Sequence, residues 1–87
     1  ADLSNANISQ SCLRKVNLFH SRLVNTNLEG TDLRGADLSF TDLSGANLRN
    51  TNLCGSNLTN AKISQVQLAQ AKTNWATILP NGKRGLW

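Results

Sequence analysis

The chain has little of what an ordinary small globular core needs. Its 87 residues include no tyrosine, no methionine, one proline, two phenylalanines and two tryptophans. Hydrophobic residues make up 39% of the sequence and aromatic residues 5%. A compact domain of this size is marginally stable even when its core is well filled. So few large side chains therefore exclude a rounded core, although a narrow core of evenly spaced leucines would need fewer.

Residues that carry chemistry are also scarce. His20 is the single histidine, and the two cysteines, Cys12 and Cys54, are not spaced as a metal-binding pair. The sequence contains no nucleophile–base pair, no phosphate-cradling glycine loop and no apolar run of roughly 18 residues that could span a membrane. We therefore expect a non-enzymatic chain without catalytic residues, cofactor or metal. Two free thiols are expected, which favours the cytoplasm.

What the sequence does contain is a repeat of five residues. Leucine or isoleucine recurs at every fifth position from 3 to 68, in fourteen consecutive repeats. The residue two positions earlier is small or β-branched, and the residue between them is mostly Asp or Asn. An α-helix would spiral these leucines around its surface, and a flat strand would alternate them between its two faces. A chain that bends every five residues points all of them inward, and glycine suits the bend at Gly30, Gly35, Gly45 and Gly55.

The segments 1–5, 36–40 and 46–50 read A-(D/N)-L-x-x. This pattern resembles the pentapeptide-repeat family, strictly over residues 1–70 and loosely over 71–80. The resemblance implies an all-β fold, a right-handed quadrilateral β-helix of about four coils with four pentapeptides each. We expect the β-helix to occupy residues 1–80, and residues 81–87 to form a short C-terminal cap or tail.

In such a fold, residues twenty apart stack at the spacing of neighbouring strands. One predicted inner column is Leu18, Leu38, Leu58 and Ile78. One predicted outward amide ladder is Asn7, Asn27, Asn47 and Gln67. The outward column Asp2, Arg22, Asp42 and Lys62 alternates in charge, which is favourable between neighbouring strands.

The ends of a β-helix expose a sheet edge and an open core. We expect Trp75, with Leu79 or Leu86, to close the C-terminal end. At the other end Ala1 opens directly on a repeat. The expected cover there is upstream sequence, another domain or a second subunit, so self-association through this end is one expectation.

Two groups of side chains are candidate sites. Stacking gathers Phe19, His20 and Phe40 along one edge, either as a contact patch or as corner packing. Arg14, Lys15 and Arg34 form the densest basic spot, with Asp32 among them. That spot is either a solvated, partly paired face or a phosphate-binding patch, and the sequence shows no aromatic residues interleaved with it.

The fold and the candidate sites together predict a non-catalytic protein-interaction or scaffold module, the C-terminal repeat domain of a larger protein. Members of the resembled family are often appended to other domains, for example protein kinases of cyanobacterial type. The alternatives are a DNA mimic that binds a topoisomerase, as some family members do, and weak nucleic-acid binding. The net charge of +4 opposes mimicry and weakly favours an acidic partner.

Overall fold

The computed structural model describes residues 1–84 as a solenoid with twenty residues in each of the first three coils. Parallel β-bridges join residues twenty apart, such as Asp2 to Arg22 and Arg22 to Asp42. Backbone hydrogen bonds follow the same step, as from the Leu3 amide to the Arg22 carbonyl at 2.8 Å. Each pentapeptide contributes a single bridge residue instead of a long strand, so four short ladders hold the coils together.

Each ladder defines one side of the solenoid. Side A consists of residues 1–5, 21–25, 41–45 and 61–65. Side B consists of residues 6–10, 26–30, 46–50 and 66–70. Side C consists of residues 11–15, 31–35, 51–55 and 71–76, and side D of residues 16–20, 36–40, 56–60 and 77–81.

The bends between sides have one backbone conformation throughout the first three coils. Every fifth residue from 5 to 60 has a positive φ, between 56° and 74°. The amide that follows closes the turn, as Ala6 does on the Leu3 carbonyl at 3.1 Å. A turn with positive φ at its third residue favours Gly and Asn, which explains why these residues dominate the position.

The outward Asp or Asn before each leucine stabilises the same bend. The Asp2 carboxylate accepts a hydrogen bond from the Ser4 amide at 3.0 Å, and the Asn7 amide oxygen accepts one from the Ser9 amide at 3.1 Å. Side chains that bond the backbone two residues on are a common turn device.

The core is a stack of leucines with small residues between them. Eight leucines at positions 23, 28, 33, 38, 43, 48, 53 and 58 are at most 1% exposed. Threonines at the inward position beside them are buried too, and their hydroxyls are satisfied. Thr26 Oγ1 donates to the Leu3 carbonyl at 2.8 Å, and Thr51 Oγ1 donates to the Leu28 carbonyl at 2.7 Å. Each such bond ties one coil to the coil before it.

The strict repeat that was predicted through residue 70 ends earlier in the structure. Helix α1, Gln65–Gln70, replaces the pentapeptide, with Ser64 as its N-cap and a capping box between Ser64 and Gln67. Val66, two residues before Leu68, is 68% exposed. Gln67 does not join the predicted amide ladder. Its Nε2 donates to the Leu43 and Ala46 carbonyls at 2.7 and 3.0 Å.

The helix closes the core on side B. Leu68 packs against the leucine stack from above, although its backbone is helical. Gln67 donates to two carbonyls of the coil below. Among the described residues, no further coil lies above these carbonyls to pair with them. Through Leu68 and Gln67, this short helix therefore does the capping that was predicted for Trp75.

The register also shifts once, which makes the predicted position of Ile78 wrong. Lys72 bridges Asn52 at a step of twenty, but Ile78 bridges Asn57 at a step of twenty-one. The bend near Trp75 holds one extra residue. Ile78 therefore continues the outward ladder of side D and not the inner leucine column.

The extra residue moves the side chains near the C-terminal end. Leu79 takes the register of Leu58 and is half-buried, whereas Trp75 is 68% exposed and closes nothing. The chain then turns back, with an antiparallel bridge between Ile78 and Arg84. The other predicted cap residue, Leu86, lies outside the described residues. Over residues 1–84, no helix is long and apolar enough to cross a membrane.

Candidate interaction surfaces

The bend at the end of side D carries a cluster of three rings, which we call the aromatic corner: Phe19, His20 and Phe40. His20 and Phe40 occupy the same bend position in successive coils, and their rings stack at 5.3 Å with an angle of 1° between planes. Phe19 meets His20 edge-on at 4.6 Å and Phe40 at 5.6 Å. Phe19 is 49% exposed and Phe40 46% exposed. The structure thus brings together the three residues that the stacking argument placed on one edge.

The aromatic corner is held in a costly backbone conformation. His20 has φ +64° and Phe40 has φ +61°. This region is tolerated by Gly, Asn and, to a degree, His, but it is unusual for a bulky side chain such as Phe. Most bends of the first three coils use Gly or Asn instead, so Phe40 is the clearest departure from the local pattern.

The backbone beneath the aromatic corner is hydrogen-bonded between coils at both bend residues. The His20 amide donates to the Ser39 carbonyl at 3.1 Å, and the Phe40 amide donates to the Thr59 carbonyl at 2.8 Å. Because of the register shift, Pro80 and not Leu79 lies above Thr59. The rings therefore stand on a rigid support.

Side C carries the basic spot. Arg14 and Lys15 are exposed, whereas Arg34 grips Asp32 with its Nε and Nη2 at 2.7–3.1 Å. This grip lowers the pKa of Asp32 to about 2, chiefly through the side-chain hydrogen bond from Arg34, with a smaller electrostatic contribution from Arg14. One of the three predicted cations is thus paired internally, and two face solvent.

Two further residues of side C were missed by sequence reasoning. Lys72 continues the outward ladder of Cys12, Asp32 and Asn52, and it is exposed. Trp75 follows in the bend that succeeds Gly55, and it is exposed as well. Trp75 follows Lys72 by only three residues in the sequence, but it was predicted to belong to the cap.

The remaining aspartates serve the turns. Asp2, Asp37 and Asp42 each accept a hydrogen bond from the amide of a serine two residues on. The pKa values of Asp37 and Asp42 are lowered, first by the hydrogen bond that the side chain of Ser39 or Ser44 gives to the carboxylate, and the pKa of Asp2 is lowered as well. These carboxylates are ionised parts of the bends.

The cysteines are free, as expected; Cys12 is exposed and Cys54 half-buried. Cys12 is the ladder residue of side C in the first coil, and Cys54 lies in the bend of side C in the third coil. Among residues 1–84, no three or more His, Cys, Asp or Glu side chains are grouped so that they could hold a metal ion.

The pattern and the coils match known proteins. A family model described as pentapeptide repeats matches in eight copies, over residues 1–18, 11–50 and 36–72. No curated protein sequence matches the chain.

Solved structures are similar over most of the chain. Rfr23, a pentapeptide repeat protein from the cyanobacterium Cyanothece 51142, is 36% identical with a TM-score of 0.84, covering 90% of this chain and 53% of Rfr23. QnrB1, a plasmid-mediated fluoroquinolone resistance protein, is 28% identical with a TM-score of 0.79, covering 92% of this chain and 37% of QnrB1.

HetL from the cyanobacterium Nostoc sp. strain PCC 7120, which is involved in regulating heterocyst differentiation, is 26% identical with a TM-score of 0.61. That match covers 98% of this chain and 39% of HetL. The chain therefore spans about half or less of the length of these structures.

Proposed function

The chain belongs to the pentapeptide-repeat family, and we propose that it is a non-catalytic module that binds a protein partner through the aromatic corner. One observation supports this proposal above the others. Phe19 and Phe40, the only phenylalanines of the chain, are about half exposed and stacked around His20, at a bend whose backbone disfavours a bulky residue.

Physical reasoning connects this corner with binding. Aromatic side chains are enriched where protein interfaces carry most of their binding energy. The corner stands on backbone that is hydrogen-bonded between coils, so ordering it in a complex costs little conformational entropy. A strained, exposed residue on a rigid support is a feature that folding alone does not require.

Several further features of the proposal are based on the family resemblance. We propose that the coils wind right-handed around a four-sided cross-section. Attachment to a longer chain, such as one with a protein kinase domain, stays a prediction, as do a cytoplasmic location and self-association through the Ala1 end. A bacterial, cyanobacterial source is also proposed, supported by the likeness to Rfr23 and HetL.

Mimicry of DNA is the less favoured function. Imitating a duplex requires a long, strongly negative surface, whereas this chain carries a net charge of +4. The likeness to QnrB1, a fluoroquinolone resistance protein, extends over only 37% of that protein. A DNA-supercoiling assay with a topoisomerase checks this point, because a mimic would inhibit at low concentration.

The proposal is tested with substitutions that the fold already accepts elsewhere. Phe19→Ser copies Ser39, and Phe40→Asn copies Asn60, each one coil further along the same column. Proteins retained from a lysate of the source cells would be compared between the wild type and this double variant. The matched control is Gln10→Asn, a bend change on side B.

The binding partner should be lost by the double variant and kept by the control. Titration calorimetry with the purified partner then gives the affinity change, which we expect to be at least tenfold, as for truncation of interface aromatics. Equal retention by all three proteins would show that the aromatic corner is not the binding surface.

A further inference from the structure

The charge of the chain is segregated onto one side. Side C holds four cations, Arg14, Lys15, Arg34 and Lys72, against one carboxylate, Asp32, for a formal net charge of +3. On side A, two cations meet two carboxylates, and on side B Arg49 balances Glu29. Side D holds a single aspartate and no Lys or Arg. Apart from the two basic residues of the tail, side C therefore supplies the positive charge of the protein.

Three cations of side C are available to a ligand. The one ion pair within residues 1–84 joins Arg34 to Asp32 at 2.7 Å, which leaves Arg14, Lys15 and Lys72 exposed to solvent. Lys15 lies in the first coil and Lys72 in the fourth. Three coil spacings separate them, or about 14 Å along the solenoid.

The bend at the end of side C is open at Gly55, whereas the bends at Gly30 and Gly45 are crowded. A Cβ added at Gly30 would lie 2.4 Å from the Gln10 side chain, and one at Gly45 would lie 2.1 Å from Asn25 Oδ1. Amide side chains thus fold over those two glycines. For a Cβ added at Gly55, the nearest atom is the Gly35 nitrogen of the preceding coil, at 3.8 Å. At Gly35, one coil earlier in the same bend, an added Cβ would lie 3.4 Å from Lys15 Cγ, an ordinary contact, so neither glycine of side C is crowded.

An exposed indole stands at the end of this open bend. Trp75 is 68% exposed, and the turn that carries it is fixed to the coil below, because the Gly55 amide donates to Asn74 Oδ1 at 3.2 Å. Cations along a flat face with an exposed aromatic ring beside them are the combination by which proteins hold single-stranded nucleic acid. The cations contact phosphates, and the ring stacks on a base.

We propose that side C binds a short stretch of single-stranded nucleic acid, with phosphates on Arg14, Lys15 and Lys72 and one base stacked on Trp75. A duplex fits less well, since no helix or paired ribbon projects from side C to enter a groove. An acidic peptide would use the cations but has no need of the indole face. This surface is separate from the aromatic corner, so the inference does not depend on the proposed protein partner.

The test uses the full chain with Trp87→Phe, so that Trp75 is the sole tryptophan and its fluorescence reports on this site. A ten-residue oligothymidylate is the probe, titrated at low salt and followed by tryptophan quenching and by anisotropy of a labelled oligonucleotide. We expect saturable quenching. Log affinity should fall linearly with log salt, with a slope near −2 for three phosphate contacts at about −0.7 each.

Two double variants that remove the same positive charge distinguish binding at side C from nonspecific electrostatic attraction of the oligonucleotide. Lys15→Asn with Lys72→Asn removes two cations from side C, and Arg22→Asn with Lys62→Asn removes two from side A. The side C pair should weaken binding by roughly tenfold and lower the salt slope by about 1.4, while the side A pair changes affinity less than about threefold. Equal losses from both pairs would overturn the proposal.

The indole has a test of its own. On the original Trp87 background, Trp75→Ala should weaken oligonucleotide binding, measured by anisotropy, by about 5- to 150-fold, the range for loss of one stacked base. Circular dichroism on every variant verifies that the fold is intact. If Trp75→Ala binds like its parent, or if an oligoglutamate peptide competes as well as the oligonucleotide, side C is an acidic-peptide surface and the proposal is wrong.

Discussion

The fourth coil begins with the leucine spacing of the first three coils but does not share their structure. Residues 1–60 bend at every fifth position with positive φ, whereas residues 61–84 contain helix α1 and a one-residue register shift. The leucine position is occupied in both regions, by Leu58 in the third coil and by Ile63 and Leu68 in the fourth. Even spacing of leucines is therefore necessary for a coil but does not decide whether the backbone forms one.

The difference lies in the bends. In the first three coils the bend position often holds Gly or Asn, which accept positive φ. In the fourth coil it holds Gln65 and Gln70, in a segment without Gly, Asn or Pro. Gln and Ala favour helix, and Ser64 with Gln67 supplies a capping box. Where no further coil follows, local preference prevails over the repeat.

The largest expected effect comes from truncating a leucine in each region. Leu38→Ala removes a fully buried side chain between two coils, and we expect the free energy of unfolding to fall by about 3 kcal/mol or more. Leu68→Ala acts on a half-buried side chain of α1, where the loss should be about 1 kcal/mol. Urea unfolding followed by circular dichroism measures both. Equal losses would mean that the fourth coil is as tightly packed as the second.

A bend substitution should have the next largest effect. Gly45→Ala puts a Cβ at φ +72°, 2.1 Å from Asn25 Oδ1, so backbone strain and a displaced side chain add up to about 2 kcal/mol. Gly82→Ala has a similar φ of +81° but nothing within 4 Å. We expect it to cost less than about 1 kcal/mol in thermal or urea unfolding. If both substitutions cost the same, crowding by Asn25 contributes nothing.

The capping box of α1 gives a smaller effect. Ser64→Ala removes the oxygen that accepts the Gln67 amide at 3.1 Å, and loss of an N-cap costs about 1 kcal/mol. Ser44→Ala is the matched control, because Ser44 is exposed and bonds a carboxylate that the backbone also satisfies. Hydrogen exchange at residues 65–70 should quicken in the first variant alone. Unchanged exchange there would show that core contacts, and not the cap, hold α1.

Sequence alone predicted the repeat region well and the terminal coil poorly. The inward leucines and the glycine bends follow from steric rules that act at every repeat, so fourteen repeats specify them redundantly. The step of twenty residues came from the family resemblance. Gln67, Ile78 and Trp75 were misplaced because a single capping box and a single extra residue are weak signals within a strong period. The signal at Ser64 and Gln67 was present, and reading it as a helix start would have found the cap.

The same limits apply to the candidate surfaces. The aromatic corner was predicted because it depends only on the step of twenty within regular coils. The candidate surface on side C was predicted in part. Arg14, Lys15 and Arg34 were recognised, but Lys72 and Trp75 lie beyond the regular repeats. The pairing of Arg34 with Asp32 depends on side-chain rotamers, which the repeat pattern does not determine.

Lowering the pH should give the smallest difference between the two regions. It acts on the first three coils, because every carboxylate side chain of the protein lies there. The pKa values of Asp2, Asp32, Asp37 and Asp42 are lowered by hydrogen bonds, that of Asp32 to about 2. A carboxyl group whose pKa is lower when folded adds stability above its unfolded pKa of about 3.9, and that stability is lost as the pH falls through the folded value.

We therefore expect urea unfolding midpoints that are flat from pH 7 to about 5 and then decline toward pH 2. Asp37→Asn keeps an oxygen to accept the Ser39 amide while removing the titration, so its decline should be shallower than that of the wild type. Amide exchange, corrected for its intrinsic pH dependence, should lose protection in residues 1–60 before α1 loses its own interactions. If α1 opens first on acidification, the carboxylates of the bends do not set the acid sensitivity, and the fourth coil is the weaker region at every pH.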